Sequence, residues 1–376
     1  MLNLLKNTKH VMAAALLVAG SVFAQDGNSG NKCRPQKSFE QGHELVQTQM
    51  MSGYNAPARI DVRGSWDVFA DASFIYWQVM EDNIEIGVTS KGSPSTIGNP
   101  GGQIVNVINP QHKYAPGFKV GIGVNFDHDN WVAAAEYTWL HSSSRQASNG
   151  FSTGVVYPVN DWAARQNSSN SYNSIVGNWR YKFDFVDLMM GRSYYVGNRL
   201  SFQPAFGARG AWMRQRFNTT AQGSGINGAG TDKYVNANRY YSWGVGPSAS
   251  LKTNWMLGYG LDLVADLQAD LLFRQFNIHQ SFQDTTTSLN NTHFNQHHLY
   301  TVRPHTDFEL GIEYGTYFDN NNWHVELGAT YGFQVFWSEN VFRKFTGASL
   351  SAPMNSFQPN GNMYIHGLTA TARLDF

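Results

Sequence analysis

Ionisable side chains are most concentrated between residues 300 and 314 of this sequence. Arg303, His305, Asp307, Glu309 and Glu313 occupy alternate positions there, so in an extended strand they project from one face. In a wide, wet channel such a row sets a transverse field that selects ions by charge. In a narrow interior the same side chains form a network of salt bridges that fills the space. The sequence leaves both interpretations open.

Eight more ionisable residues show the same pattern on other predicted strands, where they alternate with apolar neighbours. They are Lys119, Glu136, Arg209, Asp262, Asp266, Asp270, His324 and Glu326. We predict that these residues, together with those of the 300–314 segment, line the interior of one barrel. The acidic excess around Asp262–Asp270 and Glu309–Glu313 favours cations if that interior is open.

His305 raises the question of acid–base chemistry. Paired with Asp307, or with an aspartate across the interior, it resembles the catalytic pair of an outer-membrane protease, a class that also has ten strands. Residues two apart on a strand share a face in any case, so their proximity is weak support. The sequence contains no Gly-x-Ser-x-Gly elbow and no glycine-rich phosphate loop between a strand and a helix. We predict no catalytic residues, no enzyme activity and no cofactor.

Two groups of basic side chains lie outside the predicted strands. His293, His297 and His298 lack carboxylate or cysteine neighbours at ligand spacing, so we predict a solvated polar loop and no metal site. Arg214 and Arg216 come directly after a strand. They either pair with lipid phosphates at the outer interface or form an ordinary solvated strand end.

The elements that carry these residues are predicted to be long strands. Leu257–Phe273 reads as one continuous strand, with an apolar residue at every second position and three aspartates on the opposite face. It is about three times the common length of a soluble strand, which is about 5–6 residues. A wholly apolar face opposite an acidic one is typical of a strand between lipid and water.

The same alternation recurs along the chain and predicts ten strands, separated by short and long connections in strict alternation. The short turns are Asp127–Asn130, Gly197–Arg199, Thr253–Met256 and Asp319–Asn322, and the long connections are about 80–115, 142–177, 218–238, 277–299 and 339–362. The predicted fold is all-β: a transmembrane, antiparallel, up-and-down β-barrel with short periplasmic turns and long extracellular loops. Ile84–Val88 and Gln103–Ile108 would raise the number of strands to twelve.

Aromatic residues at the predicted strand ends are expected to form two interfacial girdles. They are Trp66, Tyr76, Trp77, Trp131, Trp139, Trp179, Trp212, Trp323 and Trp337. Charged residues make up only 14% of the chain, against about 25% in soluble domains. The net charge is zero, so the sequence has no nucleic-acid-binding footprint.

The N-terminus predicts export. Lys6 and Lys9 precede an apolar run at Val11–Ala19, which is too short to span a bilayer, and small residues stand before a cleavage point after Ala24. We expect residues 1–24 to be a signal peptide, 25–65 a periplasmic segment and 66–376 the barrel. Cys33 is the only cysteine, so an internal disulfide is excluded.

The chain ends on Phe376, with apolar residues at every second position before it. This ending resembles the signal that the outer-membrane barrel assembly machinery reads. The partners we expect are that machinery, outer-membrane lipid and lipopolysaccharide, and other copies of the chain in a homo-oligomer. The expected location is the bacterial outer membrane.

Short motifs are similar to those of the MOMP-like, pore-forming outer-membrane proteins of the Legionella type, which also occur in environmental chlamydiae. They are Tyr54–Val62, Ser65–Phe69, Ala72–Trp77, Val186–Leu188 with Gly191-Arg192, and Pro204–Trp212. The resemblance implies a porin-like channel for passive diffusion of ions and small hydrophilic solutes. It also implies a surface antigen or adhesin, so a non-conducting surface barrel stays the alternative. Chlamydial major outer-membrane proteins are rich in cysteine, and the single Cys33 departs from that pattern.

Overall fold

The computed structural model describes residues 56–63, 67–91, 105–126, 129–149, 154–158, 172–224, 231–284, 291–346 and 355–376. The predicted signal peptide, Cys33, Trp66 and the sequence motif at Ser65 lie outside these residues, so those predictions stay untested. No helix within the described residues is long and apolar enough to cross a membrane.

The described residues form sixteen β-strands. In chain order they are β1 (Val68–Glu81), β2 (Gly87–Lys91), β3 (Val105–Ile108), β4 (Tyr114–Asn125), β5 (Trp131–Asn149), β6 (Gly154–Pro158), β7 (Ser174–Arg192), β8 (Tyr194–Tyr195), β9 (Leu200–Ser224), β10 (Thr231–Gly258), β11 (Leu261–Asp284), β12 (Asn291–Phe318), β13 (Trp323–Asn340), β14 (Lys344–Thr346), β15 (Asn355–Phe357) and β16 (Gly361–Asp375).

Ten of these strands form a closed antiparallel barrel. The order around the wall is β10-β11-β12-β13-β16-β1-β4-β5-β7-β9, and the pairing of β9 with β10 completes the ring. Closure leaves no strand edge in the hydrocarbon, where each unpaired backbone group costs several kcal/mol. The predicted barrel of ten antiparallel strands is confirmed.

A lipid-facing band explains the alternation seen in the sequence. Phe74, Ile122, Phe206, Leu267 and Phe308 are among the apolar side chains that project outward and stay exposed. Their neighbours one position along each strand point into the barrel. Each wall strand therefore has one face for lipid and one for the interior.

The strands extend further outward than the sequence predicts. Residues 218–224, 231–238, 277–284 and 291–299, expected in long loops, belong to β9, β10, β11 and β12. Beyond the lipid the outer face of a strand meets water and becomes polar, so the apolar outward alternation stops although the backbone pairing continues. The lengths of the predicted long connections were therefore wrong.

One predicted turn was also placed wrongly. Thr253–Met256 lies within β10, and the chain reverses at Tyr259–Gly260, which interrupts the strand expected over Leu257–Phe273. Gly258, Tyr259 and Gly260 all have positive φ angles, 115°, 56° and 80°. Two glycines flanking the tyrosine make such a turn accessible, since glycine adopts positive φ without a steric penalty.

Replacing Gly260 with alanine should lower the free energy of unfolding by about 1–3 kcal/mol, because the residue combines a left-handed backbone with no room for a methyl group. An added Cβ would lie 2.3 Å from the carbonyl oxygen of Gly315. Gly197→Ala in another periplasmic turn is the control, since a Cβ there meets nothing within 4 Å. Urea unfolding in lipid vesicles measures both, and equal stability of the two variants would contradict the assigned turn.

The segment that raised the prospect of twelve strands forms a separate sheet. β2 pairs with β3 as an antiparallel hairpin and also with β6, from the next long connection. None of the three joins the wall. The wall thus keeps ten strands, and the extra hairpin lies among the extracellular connections.

Residues 56–63 run along the periplasmic end of the barrel. The Tyr195 amide donates to the carbonyl of Ala56 at 2.9 Å, beside the β7–β9 turn. The Arg63 amide donates to the carbonyl of Asn321 at 2.8 Å, in the β12–β13 turn. These turns lie on opposite sides of the ring of strands, so this segment crosses the periplasmic mouth. We call it the periplasmic strap.

Candidate functional site in the barrel interior

All thirteen candidate residues from the sequence lie on inward-facing strand positions, but their side chains differ in solvent exposure. Towards the periplasm the side chains of Lys119, Glu136 and Glu309 keep 13%, 33% and 16% of their surface exposed. Towards the outside, the inward side chains of Arg274 and Glu339 have none. The interior is therefore partly accessible to solvent in its periplasmic half, here called the vestibule, and dry in its extracellular half.

In the vestibule the charges are paired. Lys119 Nζ lies 3.4 Å from both Glu136 Oε1 and Glu309 Oε1, and its contact with Glu309 crosses the interior from β4 to β12. Thr330 donates a hydrogen bond to Glu309 at 2.8 Å. Asp266 has a buried carboxylate oxygen without a hydrogen-bond partner among the described residues.

A second set of pairs lies nearer the periplasmic mouth. Lys252 Nζ lies 3.0 Å from Glu313 and 3.9 Å from Glu326. Asp262 lies on the same inward face of β11 as Asp266 and is partly exposed. His324 Nδ1 lies 3.1 Å from Asp375 Oδ2, and Arg373 donates to the other oxygen of Asp375 at 2.7 Å.

Arg209 organises the middle of the interior. Its Nε and Nη2 donate to the two carboxylate oxygens of Asp187 at 2.6 and 3.0 Å, a bidentate geometry. Its Nη1 donates to Asp270 at 2.9 Å. His305 Nδ1 lies 2.6 Å from the same oxygen of Asp270, and neither of those two side chains is exposed. Asp307 lies two positions beyond His305 on β12 and is also buried. One of its carboxylate oxygens has no hydrogen-bond partner among the described residues.

A column of aromatic rings closes the interior above Arg209. Along β7, inward rings at alternate positions succeed one another with centroids 5.1, 5.1 and 6.2 Å apart; they belong to Trp179, Tyr181, Phe183 and Phe185. Phe185 then stacks on Phe336 of β13 with centroids 5.5 Å apart. β7 and β13 are five strands apart in both directions around the ring, so this contact spans the full diameter of the barrel. We call these five residues the aromatic plug.

Buried polar groups complete the dry half. The Arg274 guanidinium donates to Glu339 and to Ser242, and Tyr240 donates its hydroxyl to Glu339 at 2.7 Å. Across the interior, Gln215 donates to Glu81. Arg303 stacks on the ring of Phe276 with its guanidinium carbon 5.1 Å from the centroid.

The sequence analysis missed Arg274 and Glu339 because each lies one or two positions past the last lipid-facing residue of its strand. Phe273 and Trp337 end the apolar alternation, and the residues beyond them have the polar composition of a loop. Lys252 was missed because the predicted turn was set directly after it. Arg274 keeps the inward parity of β11, and that was the available signal. Glu339 has the outward parity of β13 and faces inward because the register shifts between Phe336 and Asn340, where Ser338 has a positive φ of 54°.

Two predicted girdle residues belong to the interior instead. Trp77 and Trp179 are 2% and 1% exposed. Trp77 donates its indole N–H to Thr369 inside the barrel at 3.1 Å, while its neighbour Tyr76 faces outward. Adjacent strand residues point to opposite faces, so Tyr76 and Trp77 cannot both lie in a girdle.

The geometry offers little support for catalysis or metal binding. His305 on β12 pairs with Asp270 on the adjacent strand β11 and not with Asp307. The side chains of His305 and Asp270 are both inaccessible to solvent. His297 lies on the extracellular part of β12, its ring 5.0 Å from that of His279 and 6.4 Å from that of His298. In the described part of the chain, no group of three or more His, Cys, Asp or Glu side chains could hold a metal ion.

Three solved structures with similar folds have little sequence identity to this chain. The outer membrane protease OmpT of Escherichia coli aligns with 10% identity and a TM-score of 0.35, over 82% of this chain and 96% of that one. The toluene transporter TodX of Pseudomonas putida gives 9% and 0.28, over 82% and 89%. The attachment invasion locus protein Ail of Yersinia pestis gives 8% and 0.21, over 82% and 99%. No curated protein sequence matches this chain significantly.

The sequence itself matches a family model. Residues 61–372 match the model described as the Legionella pneumophila major outer membrane protein precursor. The match covers the wall of the barrel from the strap to the last strand, and it agrees with a lipid-facing band around a closed ring of strands. The chain is a bacterial outer-membrane β-barrel protein and belongs to the family of the Legionella major outer membrane protein.

Proposed function

We propose that this protein is a closed barrel that serves the outer membrane as a structural and surface-binding component and does not conduct ions in its resting form. The observation that carries the proposal is the contact between Phe185 and Phe336, whose rings stack 5.5 Å apart from opposite sides of the wall. Rings in contact across the full diameter obstruct the path that a hydrated ion would need.

Burial around this contact extends the closure along the barrel axis. Phe183, Met213, Arg274, Phe276 and Glu339 all have 0% exposure. Barrels of about eight strands are filled by side chains, while those of 16–18 strands hold an aqueous channel. A filled ten-stranded barrel lies at the narrow end of that range.

The extracellular part of the wall supports a surface role. β10 and β12 each contain 28 residues, whereas about 9–11 residues cross the hydrocarbon. The excess projects outward and is filled with apolar side chains such as Ile278 and Phe282, which are 0% and 1% exposed. A rigid projecting wall, with the sheet of β2, β3 and β6 among its connections, is suited to present a binding surface.

Single-channel recording of the refolded mature protein in a planar bilayer tests this proposal. We expect a silent membrane under an applied potential, with folding and insertion verified by the shift in gel mobility between heated and unheated samples. Discrete current steps from protein that passes this check would overturn the closed-barrel proposal.

A narrow channel for passive diffusion of ions and small hydrophilic solutes is the second candidate. The wet vestibule favours it, because Lys119, Glu136 and Glu309 form a charged, water-accessible lining of the kind that tunes ion selectivity. In this case the aromatic plug would act as a gate. Discrete steps with cation-selective reversal potentials would support the channel.

A surface hydrolase, the third candidate, has no supporting observation. The His305–Asp270 pair is sealed between the vestibule and the aromatic plug, where a macromolecular substrate has no access.

A further inference from the structure

Five basic side chains lie side by side on the outer face of β7, β9 and β10. They are Arg180, Lys182, Arg214, Arg216 and Arg239, all exposed, and we call them the basic patch. Arg180 stands directly opposite Arg216, Arg216 opposite Arg239, and Lys182 opposite Arg214. Directly opposed residues have Cβ atoms about 4.5–5.5 Å apart, a separation at which like charges destabilise a sheet.

The described residues supply no countercharge to the basic patch. Within the described residues none of the five cations forms an ion pair with a carboxylate, and Arg214 instead lies over the ring of Tyr241, 5.0 Å from guanidinium carbon to centroid. Asp184 is the nearest outward acid along β7, and it already accepts hydrogen bonds from Tyr137 at 2.9 Å and His141 at 3.2 Å. A bound external anion would relieve the repulsion.

A groove adjoins the basic patch. It has a volume of about 340 Å³, and Arg216 and Arg239 of the patch line it. Asn218, His279 and Asn295 add polar side chains to its lining. Guanidinium groups beside amide and imidazole groups form a site for a ligand that carries both phosphate and hydroxyl groups.

The height of the patch on the barrel identifies the source of that ligand. Arg214 is the first outward position beyond Trp212 on β9, and Arg239 is the first beyond Tyr241 on β10. Exposed apolar side chains of the lipid band, including Phe206 and Val245, lie below them on the same strands. The patch is therefore level with the headgroups of the outer leaflet, where polar anchors meet lipid phosphates.

We infer that the basic patch and its groove bind the phosphorylated headgroup of an outer-leaflet glycolipid, lipopolysaccharide. The arginines hold the phosphates, and the polar groove receives the sugar beside them. This assignment concerns the outer face of the wall and is independent of whether the interior conducts.

Binding of purified lipopolysaccharide to the refolded mature protein in detergent tests the inference. In Arg216→Gln with Arg239→Gln we expect at least ten-fold weaker binding, which corresponds to about 1.4 kcal/mol. The control is Lys113→Gln with Arg199→Gln, which removes the same charge from exposed positions outside the patch and should bind as the unchanged protein does.

The probe is varied as well as the protein. Chemically dephosphorylated lipopolysaccharide should bind the unchanged protein at least ten-fold more weakly than the intact form. Equal loss in the two double variants, or equal affinity for the two forms of the lipid, would overturn the inference. Inorganic phosphate that binds as tightly as lipopolysaccharide would overturn the assignment to a glycolipid.

Discussion

Replacing Glu339 with alanine should lower the free energy of unfolding by about 3–5 kcal/mol, the cost of leaving a buried charge without its partner. Arg274 has no solvent-exposed surface, and Glu339 is its countercharge and also accepts the Tyr240 hydroxyl. Its other hydrogen-bond partners are Ser242 and the sulfur of Met213, and its guanidinium carbon lies 4.6 Å from the centroid of the Phe276 ring; none of these groups carries charge. Urea unfolding in lipid vesicles, measured by tryptophan fluorescence, reports the change.

The control removes both charges. A variant with Arg274→Met and Glu339→Leu keeps the volume of the pair and should lose less stability than Glu339→Ala alone, because apolar replacement of a buried ion pair is often neutral. If Glu339→Ala unfolds at the same urea concentration as the unchanged protein, the pair is solvated and the outer half of the interior is not dry.

Replacing both Phe185 and Phe336 with alanine should give an ion conductance that the unchanged protein lacks. The two rings meet across the barrel diameter, and removing them takes away the contact that closes the vestibule on its extracellular side. Each substitution alone should cost about 3–5 kcal/mol of stability. The two losses are not expected to add, because the side chains are in contact. Planar-bilayer recording of the folded variant measures the conductance.

A matched pair of rings on the lipid face controls for general damage to the barrel. Phe74 and Phe118 are opposite each other on β1 and β4 and project outward. Phe74→Ala with Phe118→Ala should stay silent. Conductance in this control equal to that of the interior variant would mean that the rings do not gate the interior, and silence in both would mean that other side chains close it.

The wall of the barrel was predictable because it depends on a local property. Whether Ile122 faces lipid is decided by its parity within β4, which the sequence displays. The turn at Tyr259–Gly260 was missed for a related reason. A two-residue turn alone would invert parity, but the register shift between Met256 and Gly258 restores it, so Leu257 and Leu261 stay in phase although they belong to different strands.

The interior was less predictable because it depends on which strands face each other. Parity places Phe185 and Phe336 inside, but their contact results from the ring order, which sets β7 opposite β13. The thirteen charged candidates were assigned to the interior by parity alone. Whether they line water or satisfy one another depends on the width of the barrel, which no segment of the sequence encodes by itself.

Thiol labelling inside the folded barrel tests the division between a wet and a dry half most directly. Ser242→Cys probes the dry half, where Ser242 is 0% exposed, and Glu136→Cys probes the vestibule, where the Glu136 side chain is 33% exposed. Both are made with Cys33→Ser, which removes the only native thiol. A water-soluble maleimide should label Glu136→Cys readily and leave Ser242→Cys unlabelled until the protein is unfolded. Equally fast labelling of both positions in the folded protein would contradict a closed interior.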